Sequence, residues 1–151
     1  MNPQNPTVVL MPSEPLEYNK AFIRWMIKAD LPHVALIERS SFTKPWTEEE
    51  IQSHTQQRNC ISMVVEVNQE IIAYFCYQFC TDHLLITNIA VHPDHRKNGI
   101  GKKIICKIYS KLKHRYKRIA ALVLESCYDT LSFFEKYSIQ VIFTEKKGQL
   151  P

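Results

Sequence analysis

The chain is 151 residues long, with a formal net charge of +4, 45% apolar residues and 23% charged ones, the balance of a soluble globular domain rather than of a disordered or fibrous chain. That length suits one domain with a single substantial core. No stretch reaches the roughly 18 consecutive apolar residues of a membrane span, and no basic-then-apolar leader opens the chain, so a cytoplasmic setting is expected.

Residues 1–20 carry Pro3, Pro6, Pro12 and Pro15 with little periodicity and read as a poorly ordered arm, in which Val8–Met11 could add an edge strand. A single domain is expected from residue 21 to residue 151. Its first strand is Ala21–Ile27. Asp30 ahead of Leu31-Pro32 is an N-cap signal for a helix to about Ser40. Thr47-Glu-Glu-Glu50 is a capping box that opens a second helix, Glu48 to about Gln57. Between the helices Phe42 and Trp46 sit on a loop, where they either plug the gap between helices and sheet or line a substrate groove. Ser62–Val67 and Ile71–Phe79 read as an antiparallel hairpin joined by Asn68-Gln69-Glu70.

Leu84–Val91 reads as a buried strand, followed by a loop set by Pro93 and a helix from about Ile100 with Ile104, Ile105, Ile108 and Leu112 at helical spacing. Ile119–Glu125 is a further strand, expected parallel to Leu84–Val91 because a helix crosses between them. Asp129 is the candidate cap of a last helix, Thr130–Tyr137, and Gln140–Thr144 the final strand. The order βααβββαβαβ, with helices on both faces of a mixed sheet, is an α/β layout.

Chemistry concentrates at the start of the third helix. Two of the three glycines, Gly99 and Gly101, lie there, where a backbone without Cβ can approach a ligand closely. Acidic residues are normally favoured at the positive end of a helix dipole, yet this end carries Arg96, Lys97, Lys102 and Lys103. Four cations there are unfavourable unless an anion joins them, and phosphate is the usual occupant. A Walker loop is excluded because Lys102 is followed by Lys103, and a dinucleotide fingerprint because its third glycine would fall at Ile104. From His95 to Leu124 there is no acidic residue, and ten of the nineteen Lys and Arg lie in that span. A nucleic-acid-binding module therefore stands as a minor alternative, although Tyr109 and Tyr116 are the only aromatics there for base stacking. Five cysteines without disulfide-like spacing suit a reducing compartment. Cys76 and Cys80 lack the further Cys or His pair of a zinc site, so no metal is expected.

The run Arg96-Lys-Asn-Gly99-Ile-Gly101 after NIAVHP resembles the acetyl-CoA pyrophosphate loop of the GNAT N-acetyltransferase superfamily: Arg or Gln, two residues, Gly, any residue, Gly or Ala. Across about Phe22–Thr144, and in SFTKPWTEEEI (41–51) and SFFEKYSI (132–139), the chain is most similar to bacterial RimI-type enzymes that acetylate a ribosomal protein's N-terminal amine. The resemblance implies acetyl transfer from acetyl-CoA to a primary amine, with a peptide N-terminus as one acceptor, by direct attack in a ternary complex. It implies cofactor contacts from Ile89, Ala90 and Val91 to the acetyl and pantetheine portion, and from Arg96, Lys97, Asn98, Gly99, Ile100, Gly101 and Lys102 to the pyrophosphate. Val91 would supply a backbone oxyanion donor, and Phe42 and Trp46 the substrate groove.

Two positions depart from the family pattern. The place of the leaving-group tyrosine, beside the cofactor, falls on Phe134, and that of the glutamate base on Leu122; Cys127 stands where an asparagine is common. Glu125, Tyr128 and Tyr137 are the nearest ionisable groups in sequence, and Cys127 is a further candidate that could lie near the thioester. These departures keep open an acyl-CoA-binding regulatory domain with little turnover. The family's last strand is missing after residue 144, which leaves a sheet edge that a homodimer or the N-terminal arm would cover.

Overall fold

A computed structural model describes residues 15–112 and 115–151, without the side chains of residues 128 and 129. The edge strand expected at Val8–Met11 lies outside the described residues. Nearer the domain, Leu16 and Tyr18 pack against the core.

Among the described residues the β-rich runs form one sheet of six strands in sequential order: β1 (Phe22–Trp25), β2 (Cys60–Val67), β3 (Glu70–Phe79), β4 (His83–Val91), β5 (Arg118–Leu124) and β6 (Gln140–Thr144). The first four pair antiparallel; β4–β5 and β5–β6 pair parallel because a helix carries the chain back each time. The β2–β3 turn is made by Asn68 and Gln69 at φ 49° and 65°, the left-handed pair whose twist matches a tight hairpin.

Among the described residues four α-helices cover the two faces: α1 (Leu31–Ser41), α2 (Glu48–Thr55), α3 (Ile100–Tyr109) and α4 (Leu131–Lys136). Strand alternation decides which face each residue serves. Leu31, Val34, Ala35 and Ile37 of α1 and Ile51 of α2 bury against Val64, Tyr74, Cys76 and Ala90. On the other face Ile100, Ile104, Ile105 and Ile108 of α3 and Phe134 of α4 bury against Val65, Phe75, Leu84, Ile86 and Val123. The observed order of strands and α-helices is the βααβββαβαβ of the sequence.

Some local expectations change. Asp30 precedes α1, but its carboxylate accepts from the Ile27 amide at 2.9 Å and from both terminal nitrogens of Arg24, at 2.7 and 2.8 Å, instead of capping α1. Leu112 lies past the end of α3, which stops at Tyr109. Thr130 takes the N-cap position of α4 in place of Asp129, because residues 125–130 wind as 3₁₀ turns with a break at Cys127. Among the described residues no strand lies beyond β6.

One irregularity organises the functional end of the sheet. Along β3, Cys76 pairs with Asn88 and Tyr77 with Ile86, so Thr87 is an extra, bulged residue in β4. At the same level the β4–β5 ladder stops, its last pair being Ile86 with Ala121. Beyond that point β5 continues with β6 as far as Leu124 and Thr144, while β4 continues with β3 as far as Val91. The sheet forks there.

Candidate active site

Backbone direction follows from the ladder. His92 N donates to Ile72 O at 2.8 Å, and antiparallel pairing alternates, so Ala90 and Asn88 also bond toward β3. Ile89 and Val91 therefore point their N–H groups into the fork. Val91 O, aimed the same way, accepts from Arg96 Nε at 2.9 Å.

The α3 mouth of the fork is exposed backbone. Gly99 is the N-cap of α3 at φ 79°, a left-handed conformation that disfavours any side chain, and the space around its missing Cβ is open. Lys97 also takes positive φ, 65°, and Asn98 ties the loop through amide bonds to His95 O and Arg96 O at 3.1 and 3.0 Å. No side chain caps α3 and no acid lies in its first turn. In contrast, α2 opens with Glu48, Glu49 and Glu50 and the reciprocal Thr47–Glu50 box, at 2.8 and 3.2 Å. Unlike that of α2, the α3 terminus leaves its N–H groups without an acidic or capping side chain, and it alone joins this to a left-handed glycine cap facing open space among the described helices.

The two glycines of the loop serve different purposes. A Cβ on Gly101 would meet the Phe133 ring at 3.0 Å, so this glycine lets α3 and α4 approach; it does not face open space as Gly99 does. Lys103, counted among the cations of this terminus, bonds instead to Ala21 O. Lys97 and Lys102 are exposed, and Arg96 also reaches Ser41 Oγ at 3.3 Å, which ties the loop to α1.

The opposite mouth is buried and polar. The bulge turns both Thr87 and Asn88 toward the α1–α2 face. Thr87 Oγ1 donates to Cys76 O at 3.3 Å, so His54 Nε2–H donates to Thr87 Oγ1 at 2.7 Å, and burial lowers the His54 pKa. Asn88 and the Tyr74 hydroxyl converge on Glu38, which is 0% exposed. Glu38 Oε2 accepts from Tyr74 and, at 3.4 Å, from Asn88; Oε1 accepts from the Trp46 amide at 3.1 Å and from Lys147 Nζ. Burial raises the Tyr74 pKa well above its ordinary value, which keeps the hydroxyl a donor. Lys147 lies over the Phe42 ring, 3.3 Å from its centroid, and 5.2 Å from that of Trp46.

A cavity of about 40 Å³ lies in the fork, and no residue from Val91 to Lys102 is part of its lining. Thr87, Asn88 and Ile89 line one arm and Leu122, Val123 and Leu124 the other, with Phe42 and Lys147 toward α1 and Cys127, Thr130 and Phe134 toward α4.

Of the expected site residues, Phe42, Ile89, Leu122, Cys127 and Phe134 meet at this cavity, with Trp46 one ring away on His54 at 4.8 Å. Ala90 packs its methyl against α1, and Ile100 is buried in the core, so either could serve a ligand only through its backbone. Glu125 is exposed at the end of β5 and lines none of the cavity. The Tyr128 side chain lies outside the described residues. Glu38, Tyr74, Asn88, His54 and Lys147 were not singled out from the sequence. A signal existed for one of them: Glu38 falls on the 31, 34, 35, 38 stripe of α1, a carboxylate on an otherwise apolar face.

Comparison with known proteins agrees with this geometry. The model of the acetyltransferase (GNAT) family matches residues 31–138. A Bacillus subtilis protein provisionally named a [ribosomal protein bS18]-alanine N-acetyltransferase is 29% identical over 124 residues, 80% of this chain and 82% of its own length. The Escherichia coli enzyme of that name is 28% identical over 115 residues, 70% of this chain and 76% of its own. Among solved structures, the ribosomal-protein alanine N-acetyltransferase of Escherichia coli superposes with a TM-score of 0.64 at 22% identity, covering 78% of this chain and 76% of that one. An acetyltransferase from Thermus thermophilus gives 0.67 at 14% identity, covering 78% and 84%. With the family model spanning more than half of the sequence, the chain belongs to the GNAT family of acetyltransferases.

Proposed function

We propose that this chain transfers an acetyl group from acetyl-CoA to a primary amine, with a protein N-terminal α-amine as the acceptor class. One observation carries the reading: within four residues of β4 beside the fork, Asn88 bonds the buried Glu38 carboxylate, Ile89 and Val91 point their N–H groups inward, and Val91 O is tied to Arg96 of the loop that opens the uncapped α3. The relatives named for alanine N-terminal acetylation support the acceptor class.

In this reading the pyrophosphate lies on the N–H groups of Lys97 to Gly101, with Lys102 and the cationic loop around Arg96 supplying charge. Acetyl-CoA supplies an activated thioester, which runs along Ile89–Val91. The Val91 N–H faces the carbonyl oxygen, where a fixed donor gains strength as negative charge develops. The acceptor enters from the α1–α2 mouth past Phe42 and Trp46, and Glu38 holds its nitrogen and takes its proton. Phe134 has no hydroxyl, so Cys127 and Thr130 are the proton-bearing side chains on the thiolate's side. Catalysis rests on positioning and on the oxyanion donor.

The test is calorimetric titration with acetyl-CoA, followed by thiol release over a panel of N-terminal peptides and small amines. Saturable uptake that is lost in Gly99→Glu, together with amine-dependent release, is expected. Absence of uptake at millimolar acetyl-CoA would sink the reading. Uptake without release on any amine would reduce it to coenzyme binding.

A further inference from the structure

The acceptor wall of the cavity already contains a primary amine of the chain's own. Lys147 reaches it from the segment after β6, with its side chain 8% exposed and its nitrogen on Glu38 Oε1. We propose that Glu38, Phe42 and Trp46 form the seat for the acceptor's amine, and that Lys147 occupies this seat as an internal ligand that an incoming amine must displace. The inference rests on the acetyl-transfer reading for the identity of the cavity, but the seat itself is read from side chains alone.

The chemistry of the pocket fits an alkylamine. A carboxylate takes the nitrogen, and two aromatic faces take the charge and the adjoining methylenes. Glu38 carries two costs that a structural role does not require: complete burial, and a negative charge in the C-terminal half of a helix, where the dipole disfavours it. Such local conflicts mark binding sites more often than scaffolding. The Tyr74 and Asn88 donors fix one oxygen, leaving the other to the amine and the Trp46 amide.

The segment that delivers Lys147 is built for its position. Thr144, 2% exposed, accepts from Lys146 N at 3.3 Å and donates to Gln149 O at 2.6 Å, and Gln149 N closes the turn on Lys146 O at 3.2 Å. Gly148 takes φ +71°, and a Cβ there would stand 2.5 Å from the Trp46 ring, so the turn seats on Trp46 only with glycine at this position. With Lys147 in place the remaining cavity, about 40 Å³, is the space of roughly two or three water molecules. Burial also pulls the Lys147 pKa down from 10.5 to about 6, toward the neutral form that an acyl acceptor must take.

The test is a titration of the full chain with n-butylamine hydrochloride in the absence of acetyl-CoA. The signal is Trp46 fluorescence in a Trp25→Phe background, since Trp25 is the other of the two tryptophans. If Lys147 fills the seat in about nine molecules of ten, Lys147→Met binds butylamine roughly tenfold more tightly than the parent. Gly148→Ala keeps the lysine but dislodges its turn, and should shift affinity in the same direction. Adding Glu38→Gln to Lys147→Met should remove the gain. Equal or weaker binding in both single variants would mean that Lys147 is only the counter-charge of Glu38, and the proposal is then wrong. Should Lys147→Met fail to fold, Gly148→Ala carries the same decision. A flat titration alongside intact peptide acetylation removes the internal ligand alone; enhanced amine binding without acetyl-CoA uptake keeps the seat and removes the acetyl-transfer reading.

Discussion

On the α3 side of the fork every residue proposed to meet the cofactor's pyrophosphate comes from one continuous stretch, Val91 to Lys102, which is largely exposed. On the α1–α2 side the facing groups come from five separate segments, around Glu38, Trp46, Tyr74, Asn88 and Lys147, and most of them are buried side chains. The difference follows from what each side must hold. A diphosphate is recognised by amide dipoles at a helix start, which any sequence that leaves the terminus uncapped can provide. An amine needs a desolvated carboxylate, and a buried carboxylate survives only when several donors from elsewhere in the fold converge on it.

The contrast makes the buried side the more fragile. Removing the carboxylate with Glu38→Ala strands Lys147 and the Tyr74 hydroxyl, and is expected to cost about 3–5 kcal/mol in denaturant unfolding. Changing Glu38 and Lys147 together to Gln and Met should recover much of that loss; if the double change is as damaging as the sum, the two residues are not one unit. On the exposed side Gly99→Glu places a carboxylate at the proposed diphosphate seat, so acetyl-CoA affinity should fall about 100-fold, or roughly 3 kcal/mol, while the left-handed φ costs global stability only about 1–2 kcal/mol. An equal loss of both would mean that Gly99 serves the fold and not the ligand.

Smaller effects sharpen the same division. Tyr74→Phe leaves Glu38 one donor short inside the core and should cost about 1–3 kcal/mol in thermal unfolding, with acetyl-CoA binding unaltered. Gly101→Ala presses on the Phe133 ring from 3.0 Å and should cost about 1 kcal/mol, again with cofactor affinity kept, which separates it from its neighbour Gly99. Least in size is a pH effect. Because burial depresses the Lys147 pKa from 10.5 to about 6, the unfolded chain holds an extra proton between those values, so stability should rise with pH across that window. Glu38 faces the same nitrogen and offsets part of this slope. Comparing Tm from pH 6 to pH 9 for the parent and Lys147→Met checks the sign: the parent should gain relative to the variant as pH rises.

What could be read from the chain without its fold is what depends on near neighbours. The amphipathic spacing of Ile100, Ile104, Ile105 and Ile108, the Thr47–Glu50 box, and the Arg96–Gly101 run each lie within a few turns of backbone, and each appears in the structure where the spacing puts it. The α3 terminus was legible for the same reason, since its missing cap, missing acids and surplus cations are all local. Even here the fold reassigned two residues: Gly101 faces Phe133, and Lys103 reaches back to Ala21.

The amine side was not legible, because its partners are long-range. Glu38 and Lys147 are 109 residues apart and Glu38 and Asn88 are 50 apart, so no spacing rule links them. Glu125, at the end of β5, is exposed and outside the cavity lining, whereas Glu38 approaches from α1 on the other side of the fork. Two decisions of tertiary structure brought the amine-side residues together. The Thr87 bulge turned Asn88 toward α1 just where the β4–β5 ladder ends, and a left-handed glycine seated the 144–149 turn on Trp46. The sequence by itself determined the order of strands and helices along the chain and the uncapped, basic α3 terminus, since these follow from hydrogen bonding and periodicity close along the chain. The fork and its buried carboxylate were decided by packing alone, because a charge can be held in a core only where remote segments converge to satisfy it.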